Sequence, residues 1–234
     1  MFIGHYGIGL AGKKPGPEIS LGTLFLASQW LDLLWPLMLI FNLEHVSIVP
    51  GNTKMVPLDF DYYPFSHSLV FVLVWSFLFG GFYYMFRGSK RNSLILGLLV
   101  LSHWILDLFV HKPDLPLFPS GPMEGFGLWN FPVIAIPLES LIFAAGVYLY
   151  TINTKPKNKN GIYVFWSLIT FLIIIHIINL LSPPPPNINS IAYASLALWL
   201  LIPWAYWADR NREYIPKEEE RKKKEEESLK DEDE

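Results

Sequence analysis

The chain has 234 residues, 52% of them hydrophobic and 16% aromatic, and a formal net charge of −3. Its charges gather in loops and at the C-terminal end, which excludes an ordinary soluble domain, and the near-neutral balance gives no footing for nucleic acid. With no cysteine, disulfides and thiolate metal sites are excluded as well.

Residues 1–12 are apolar but too short to span a bilayer. No basic stretch precedes them, so they do not read as a cleavable signal. A half-depth or re-entrant helix packed against protein is the expectation. Six longer segments reach the roughly 20 apolar residues that a span needs: 19–41, 66–86, 92–109, 131–151, 162–181 and 191–207. The expected fold is therefore an all-α integral membrane protein with about six transmembrane helices plus a short N-terminal helix. Residues 1–216 make the membrane domain. Residues 217–234 read as a charged cytoplasmic tail, solvated or disordered, because they lack an apolar stripe.

Lys and Arg fall on alternate loops. Lys13 and Lys14 precede the first span, Arg87, Lys90 and Arg91 follow the second, Lys155, Lys157 and Lys159 follow the fourth, and Arg210, Arg212 and Lys217 follow the sixth. The opposite loops hold only Lys54 and Lys112, beside Glu44, Asp59, Asp61, Asp114 and Glu124. The basic side is then the cytoplasm, with both termini there and the protein in the inner membrane. Two outer loops, 42–65 and 111–130, are long and rich in Pro and Gly. Such loops are often functional, although they also serve simply to cap helix ends.

Ionisable residues inside apolar spans are costly and tend to face one another, water or a metal. His5, Asp32, His67, His103, Asp107, Glu139 and His176 are of this kind. His103 and Asp107 lie four apart, on one helix face and one turn from each other. Imidazole and carboxylate together suit zinc, with manganese, iron or magnesium as alternatives. An isolated pair of this spacing equally reads as a hydrogen bond between helices. Counting about 1.5 Å per residue from the basic end puts the whole set in one slab, from mid-bilayer to the outer surface. A polar cavity open to the outside would have that distribution. His67 also reads as part of a helix start capped by Ser66. His176 reads as a structural hydrogen-bonding histidine, His111 sits at the outer rim, and His45 has no assigned role.

The order of these elements is informative. Gly4-His5 is followed by Asp32 with Pro36, then by Ser66-His67-Ser68 opening a span, then by Ser102-His103 with Asp107 before a Pro-rich loop. This order resembles a bacterial and archaeal family of inner-membrane metal-dependent hydrolases, also described as LexA-binding, over roughly the first half of the chain. The resemblance implies His5, Asp32, His67, His103 and Asp107 as metal ligands. The family pattern has a second Asp and a His where Leu34 and Trp35 stand here, and a His-Arg pair where Tyr62 and Tyr63 stand. Those replacements imply either one metal in place of two or a member without activity. Asp59 and Asp61 are the carboxylates available to substitute in space.

Three functions follow. The first is a metal-dependent hydrolase acting at the outer half of the bilayer on a lipid or phosphoester, with Asp107 and Glu139 as catalytic residues and membrane lipids as its surroundings. The second is a transporter or a metal- or proton-binding membrane protein, although the sequence shows no inverted repeat. The third is a structural membrane protein whose polar residues join helices. The sequence leaves the oligomeric state open.

Overall fold

Helix starts and stops follow local chemistry. Side chains of Ser20, Ser68, Ser89, Asn158 and Asn187 each accept a backbone N–H at a helix N-terminus, satisfying donors that lack an intrahelical partner. Pro132 opens another helix, where its missing N–H costs nothing. Gly88, at φ 65°, takes the left-handed conformation that ends a helix. The computed structural model describes residues 1–216; the charged tail expected at 217–234 lies outside them.

The helices in order are α1 (Ile3–Ala11), α2 (Leu21–Ser28), α3 (Trp30–Ile40), α4 (Pro64–His67), α5 (Leu69–Arg87), α6 (Lys90–Val110), α7 (Pro132–Asn153), α8 (Lys159–Leu181), α9 (Ile188–Leu196) and α10 (Leu201–Arg210). Five segments are long and apolar enough to cross a membrane: α5, α6, α7, α8, and the continuous stretch Ile188–Arg210 containing α9 and α10. The expected first span exists but is broken. Helices α2 and α3 meet at Gln29 with a bend of 57°. Counting that pair as one span gives the six expected from the sequence, and the protein is an all-α membrane protein.

Lipid-facing and protein-facing sides separate clearly. Helix α5 buries only Val72 and Gly80, while Phe77, Val133 and Leu181 are almost fully exposed. A soluble protein rarely shows so much large apolar surface. Helices α5 and α6 form a close hairpin. A Cβ on Gly80 would come within 2.7 Å of the Ser93 carbonyl oxygen, so the two backbones approach where a side chain is missing.

Helix α1 does not lie on the surface. Ile3, His5, Tyr6 and Leu10 are buried, and α1 packs against α7, α2 and α6. A Cβ on Gly146 of α7 would collide with the carbonyl of Gly7, so the α1–α7 contact requires glycine there. The expected half-depth N-terminal helix is thus an inserted core element.

Short strands close the two ends. On the side of the long loops, β1 (His45–Ile48) and β2 (Leu58–Tyr62) pair antiparallel, and β3 (Leu115–Pro116) pairs with β4 (Met123–Glu124). On the basic side, β5 (Thr154–Pro156) pairs with β6 (Arg212–Tyr214). There the buried Arg212 guanidinium donates to the carbonyls of Gly161 and Thr154 at 2.9 Å each. Lys13 Nζ donates to Asp209 at 3.0 Å on the same side. Alternating patterns gave no hint of these strands, which are too short to show a period of two.

Candidate metal centre

The polar residues read from the sequence converge. His103 and Asp107 come from one face of α6, His67 from α4, Asp32 from the first turn of α3, and His5 from α1. His103 Nε2 lies 3.2 Å from Asp107 Oδ2 and 3.6 Å from Asp32 Oδ1. His67 Nε2 lies 3.7 Å from Asp32 Oδ1 and 3.9 Å from Asp107 Oδ2. Four donor atoms from three parts of the chain therefore form a closed ring with edges of 3.2–3.9 Å. Ligands about 2.0–2.1 Å from a tetrahedral ion sit about 3.4 Å apart, and each of the four edges is close to that separation.

The imidazoles are held in the tautomer that ligation needs. His103 Nδ1 donates to the Ser28 carbonyl at 2.8 Å. That carbonyl is free to accept because α2 ends at Ser28 and its last carbonyls lack intrahelical donors. His103 Nε2 is buried and has no hydrogen-bond partner, so its lone pair points into the ring. For His67, Nδ1 lies 2.7 Å from Ser66 Oγ. Ser66 Oγ gives its own proton to Glu44 Oε2 at 2.6 Å, so it accepts from His67, and His67 Nε2 is left with a lone pair. Glu44 also takes the Ser66 backbone N–H at 2.7 Å. Carboxylate and carbonyl partners of this kind orient ligating histidines. Burial pushes the Glu44 carboxyl above its usual pKa, and the hydrogen bonds from Ser66 oppose that shift.

His5 belongs to the cluster in a different way. Its ring stacks on His103 with centroids 3.6 Å apart, and its Nε2 lies 3.1 Å from Asp107 Oδ1. The Met1 amino group donates to the same oxygen. Asp107 thus spends Oδ1 on α1 and turns Oδ2 to the other donors. His5, His103 and Asp107 also bring one donor atom each within 4.8 Å of one another, as do Asp32, His67 and His103.

Glu139 lies apart from this ring. It is buried, and its Oε1 accepts the Gly4 N–H at 3.3 Å, so its visible role is to hold the start of α1. His176 stacks against Phe2 at 6.3 Å, again beside α1. Asp59 pairs with Lys112 at 2.6 Å and Asp61 accepts from Ser47 at 3.3 Å, so neither replaces the missing family residues. Ser66, expected as the cap of the second span, serves His67 instead, and Ser68 caps α5.

Above the ring lies a cavity of about 240 Å³, bounded by Asp32, His67 and Asp107 below and by Phe60, Tyr63, His111 and Trp129 at the loops. Asp32 is the exposed member of the set, with 27% of its side chain accessible. Burial, and then the nearby Asp114, Asp107 and Glu44 charges, hold the Tyr63 phenol well above its usual pKa, so it stays protonated. His111 Nδ1 donates to Asp114 Oδ1 at 2.9 Å, and its ring packs against Trp129 at a tilt of 48° with centroids 4.3 Å apart. Sequence reasoning missed Glu44, Tyr63 and Ser28 as contributors. A loop carboxylate 22 residues before its partner and a backbone carbonyl leave no pattern to find.

Comparison with curated proteins and with solved structures gives no match. Among protein families, YdjM inner membrane protein matches residues 63–182, which includes His67, His103, Asp107 and Glu139 but stops short of His5 and Asp32. Since the match covers more than half of the chain, which also carries five or six apolar spans, the protein belongs to the YdjM inner membrane protein family and is a multi-pass protein of the inner membrane.

Proposed function

We propose that Asp32, His67, His103 and Asp107 hold one divalent cation, zinc first, with His5 bracing His103 and Asp107. We further propose that the protein is a metal-dependent hydrolase working on a lipid or phosphoester in the outer half of the bilayer. The observation that carries this reading is the four-donor ring with both histidine tautomers fixed. Two neutral imidazoles and two carboxylates give a neutral complex with a dication, which suits a site inside a membrane.

When bound, the cation would supply Lewis acidity toward a phosphoryl or acyl oxygen. The chain's own residues do the rest. The aromatic cavity takes the substrate and excludes bulk water from its reacting end. Asp32 faces that cavity, so it is the carboxylate best placed to accept a proton there. Asp107 stays buried and fixed by α1. Glu139 keeps α1 in position and so acts as a positioning residue. The Tyr63 hydroxyl, 3.4 Å from His111 Nδ1, is a neutral donor at the mouth. Under the orientation implied by the basic loops, the cavity opens on the outer side, away from Lys13 and Arg212.

Metal analysis of the detergent-purified chain tests the reading. One equivalent of zinc, manganese or iron is expected, with loss of the metal in His103→Ala, and hydrolysis of a fluorogenic phosphodiester or acyl ester that a chelator abolishes. Stoichiometric metal without hydrolysis of either class would leave a metal-binding membrane protein and end the hydrolase reading. A folded chain that takes up no metal at micromolar concentration would end both.

A further inference from the structure

A second feature lies on the opposite half of the molecule and does not depend on the metal reading. Residues of α2 and α5, together with Trp30, line a groove of about 610 Å³ that reaches Arg87 on the basic side. Its walls are apolar and aromatic, from Leu26 and Trp30 on one side and Leu78, Phe79 and Phe82 on the other. Its deep end is closed by Trp30, whose ring meets Trp75 at 5.9 Å and Phe79 at 5.5 Å. Its other end runs into a polar pocket of about 240 Å³, and the two share Thr23, Tyr83 and Arg87.

The length of the groove fits one leaflet. From Trp75 to Arg87 is twelve residues along α5, or about 18 Å at ~1.5 Å per residue, against about 15 Å for half of the hydrocarbon core. The polar end falls at the edge of the membrane, since Arg87 is the last residue of α5. Arg87 makes no ion pair among the described residues. The one carboxylate in the pocket, Glu18, takes a hydrogen bond from Asn92 at 3.2 Å instead. Exposed Lys90 and Arg91 follow at the start of α6 and keep the rim positive.

We infer that this groove binds an anionic phospholipid from the leaflet on the basic side, with one acyl chain between α2 and α5 and the phosphate at Arg87. The apolar trough gives the chain a protein surface on several sides, and the pocket's hydroxyls from Tyr83 and Ser89 offer donors to the phosphate oxygens. Guanidinium favours phosphate through paired, charge-assisted hydrogen bonds. The positive rim favours a head group of net negative charge over a zwitterionic one, by about fivefold for one basic residue at a membrane surface.

Native mass spectrometry of the full chain in mild detergent tests this, with phosphatidylglycerol and phosphatidylcholine of identical acyl chains titrated separately. The unmodified chain is expected to hold one phosphatidylglycerol about fivefold more tightly than phosphatidylcholine. Arg87→Gln, at an exposed position, removes the preference. Leu26→Trp fills the groove and weakens both lipids, while Lys54→Gln, at an exposed position in the long loop on the opposite side, changes affinity less than twofold. Equal binding of the two lipids, unaffected by Arg87→Gln, would mean an annular lipid only and overturn the proposal. Displacement of the lipid by glycerol 3-phosphate alone would mean a soluble phosphate ligand and overturn it as well. If Leu26→Trp unfolds the chain, the Arg87→Gln comparison still decides.

Discussion

Replacing Ser66 by Ala removes a single hydroxyl and leaves every donor of the four-membered ring in place. In the folded chain that hydroxyl accepts from His67 Nδ1 at 2.7 Å and donates to Glu44 Oε2 at 2.6 Å. Both partners are buried, His67 at 5% and Glu44 at 1% exposure, so neither regains a bond from bulk solvent. Each buried group left unpaired costs about 1–3 kcal/mol. Glu44 keeps its bond from the Ser66 backbone, so the loss falls mainly on His67, whose ring is then free to turn or change tautomer. Loss of an orienting partner of this kind typically weakens metal binding about 10–100-fold.

The assay is a zinc competition titration against a chromophoric chelator, run on purified Ser66→Ala and unmodified chain, with thermal unfolding measured in parallel. The expected result is metal affinity reduced about 10–100-fold and only modest destabilisation of the metal-free chain. Helix α5 should persist because its cap is Ser68, which accepts the Phe71 N–H. Unchanged zinc affinity would refute the reasoning, since it would show that the Glu44–Ser66–His67 chain does not prepare His67 for a ligand.

Three further outcomes are expected. Asp107→Asn should insert and fold but lose most of its metal. If the carboxylate only joins helices, unfolding should instead shift by about 3–5 kcal/mol with metal content unchanged. Gly146→Ala should drive a methyl group into the Gly7 carbonyl, costing about 1–3 kcal/mol or more by overpacking; thermal denaturation checks the cost, and metal content should fall with it as α1 is pushed from Asp107. Single cysteines at Asn52 and Asn158, in a chain that has none of its own, should react with an impermeant reagent from opposite sides of the membrane, and reaction of both from the same side would contradict the topology.

The spans were legible because hydrocarbon demands long apolar segments, and nothing else in a chain of this size imitates them. The ring was legible for a related reason. Asp32, His67, His103 and Asp107 are expensive where they stand, so their positions had to be resolved by mutual contact. What was not legible is the material that orients them. Glu44 sits in a loop among other acids, and its partner Ser66 looks like a cap. The carbonyl of Ser28 has no sequence signature at all. Glu139 is as costly as the ring members, yet it bonds to a backbone N–H of α1, so cost alone does not say which buried acid meets the others. The outer strands and the basic-side pair β5–β6 depend on contacts between distant loops, which no local period reports.

The break at Gln29 ties these points together. Residues 21–40 contain no glycine or proline at the bend itself; Pro36 lies further on, where it denies the Asp32 carbonyl its usual i+4 donor. A straight helix through this stretch would bury the Ser28 carbonyl in its own hydrogen bond and set the Asp32 carboxylate in mid-helix. The bend instead ends α2 at Ser28 and starts α3 at Trp30. The Ser28 carbonyl becomes the acceptor that fixes His103. Asp32 falls in the first turn of α3, where unpaired N–H groups and the helix dipole favour a negative charge. One irregularity therefore supplies both the orientation of a histidine and a favourable field for a carboxylate. A span that only needed to cross the membrane would have no use for the break, which adds support to the proposal that the four-donor ring holds a cation.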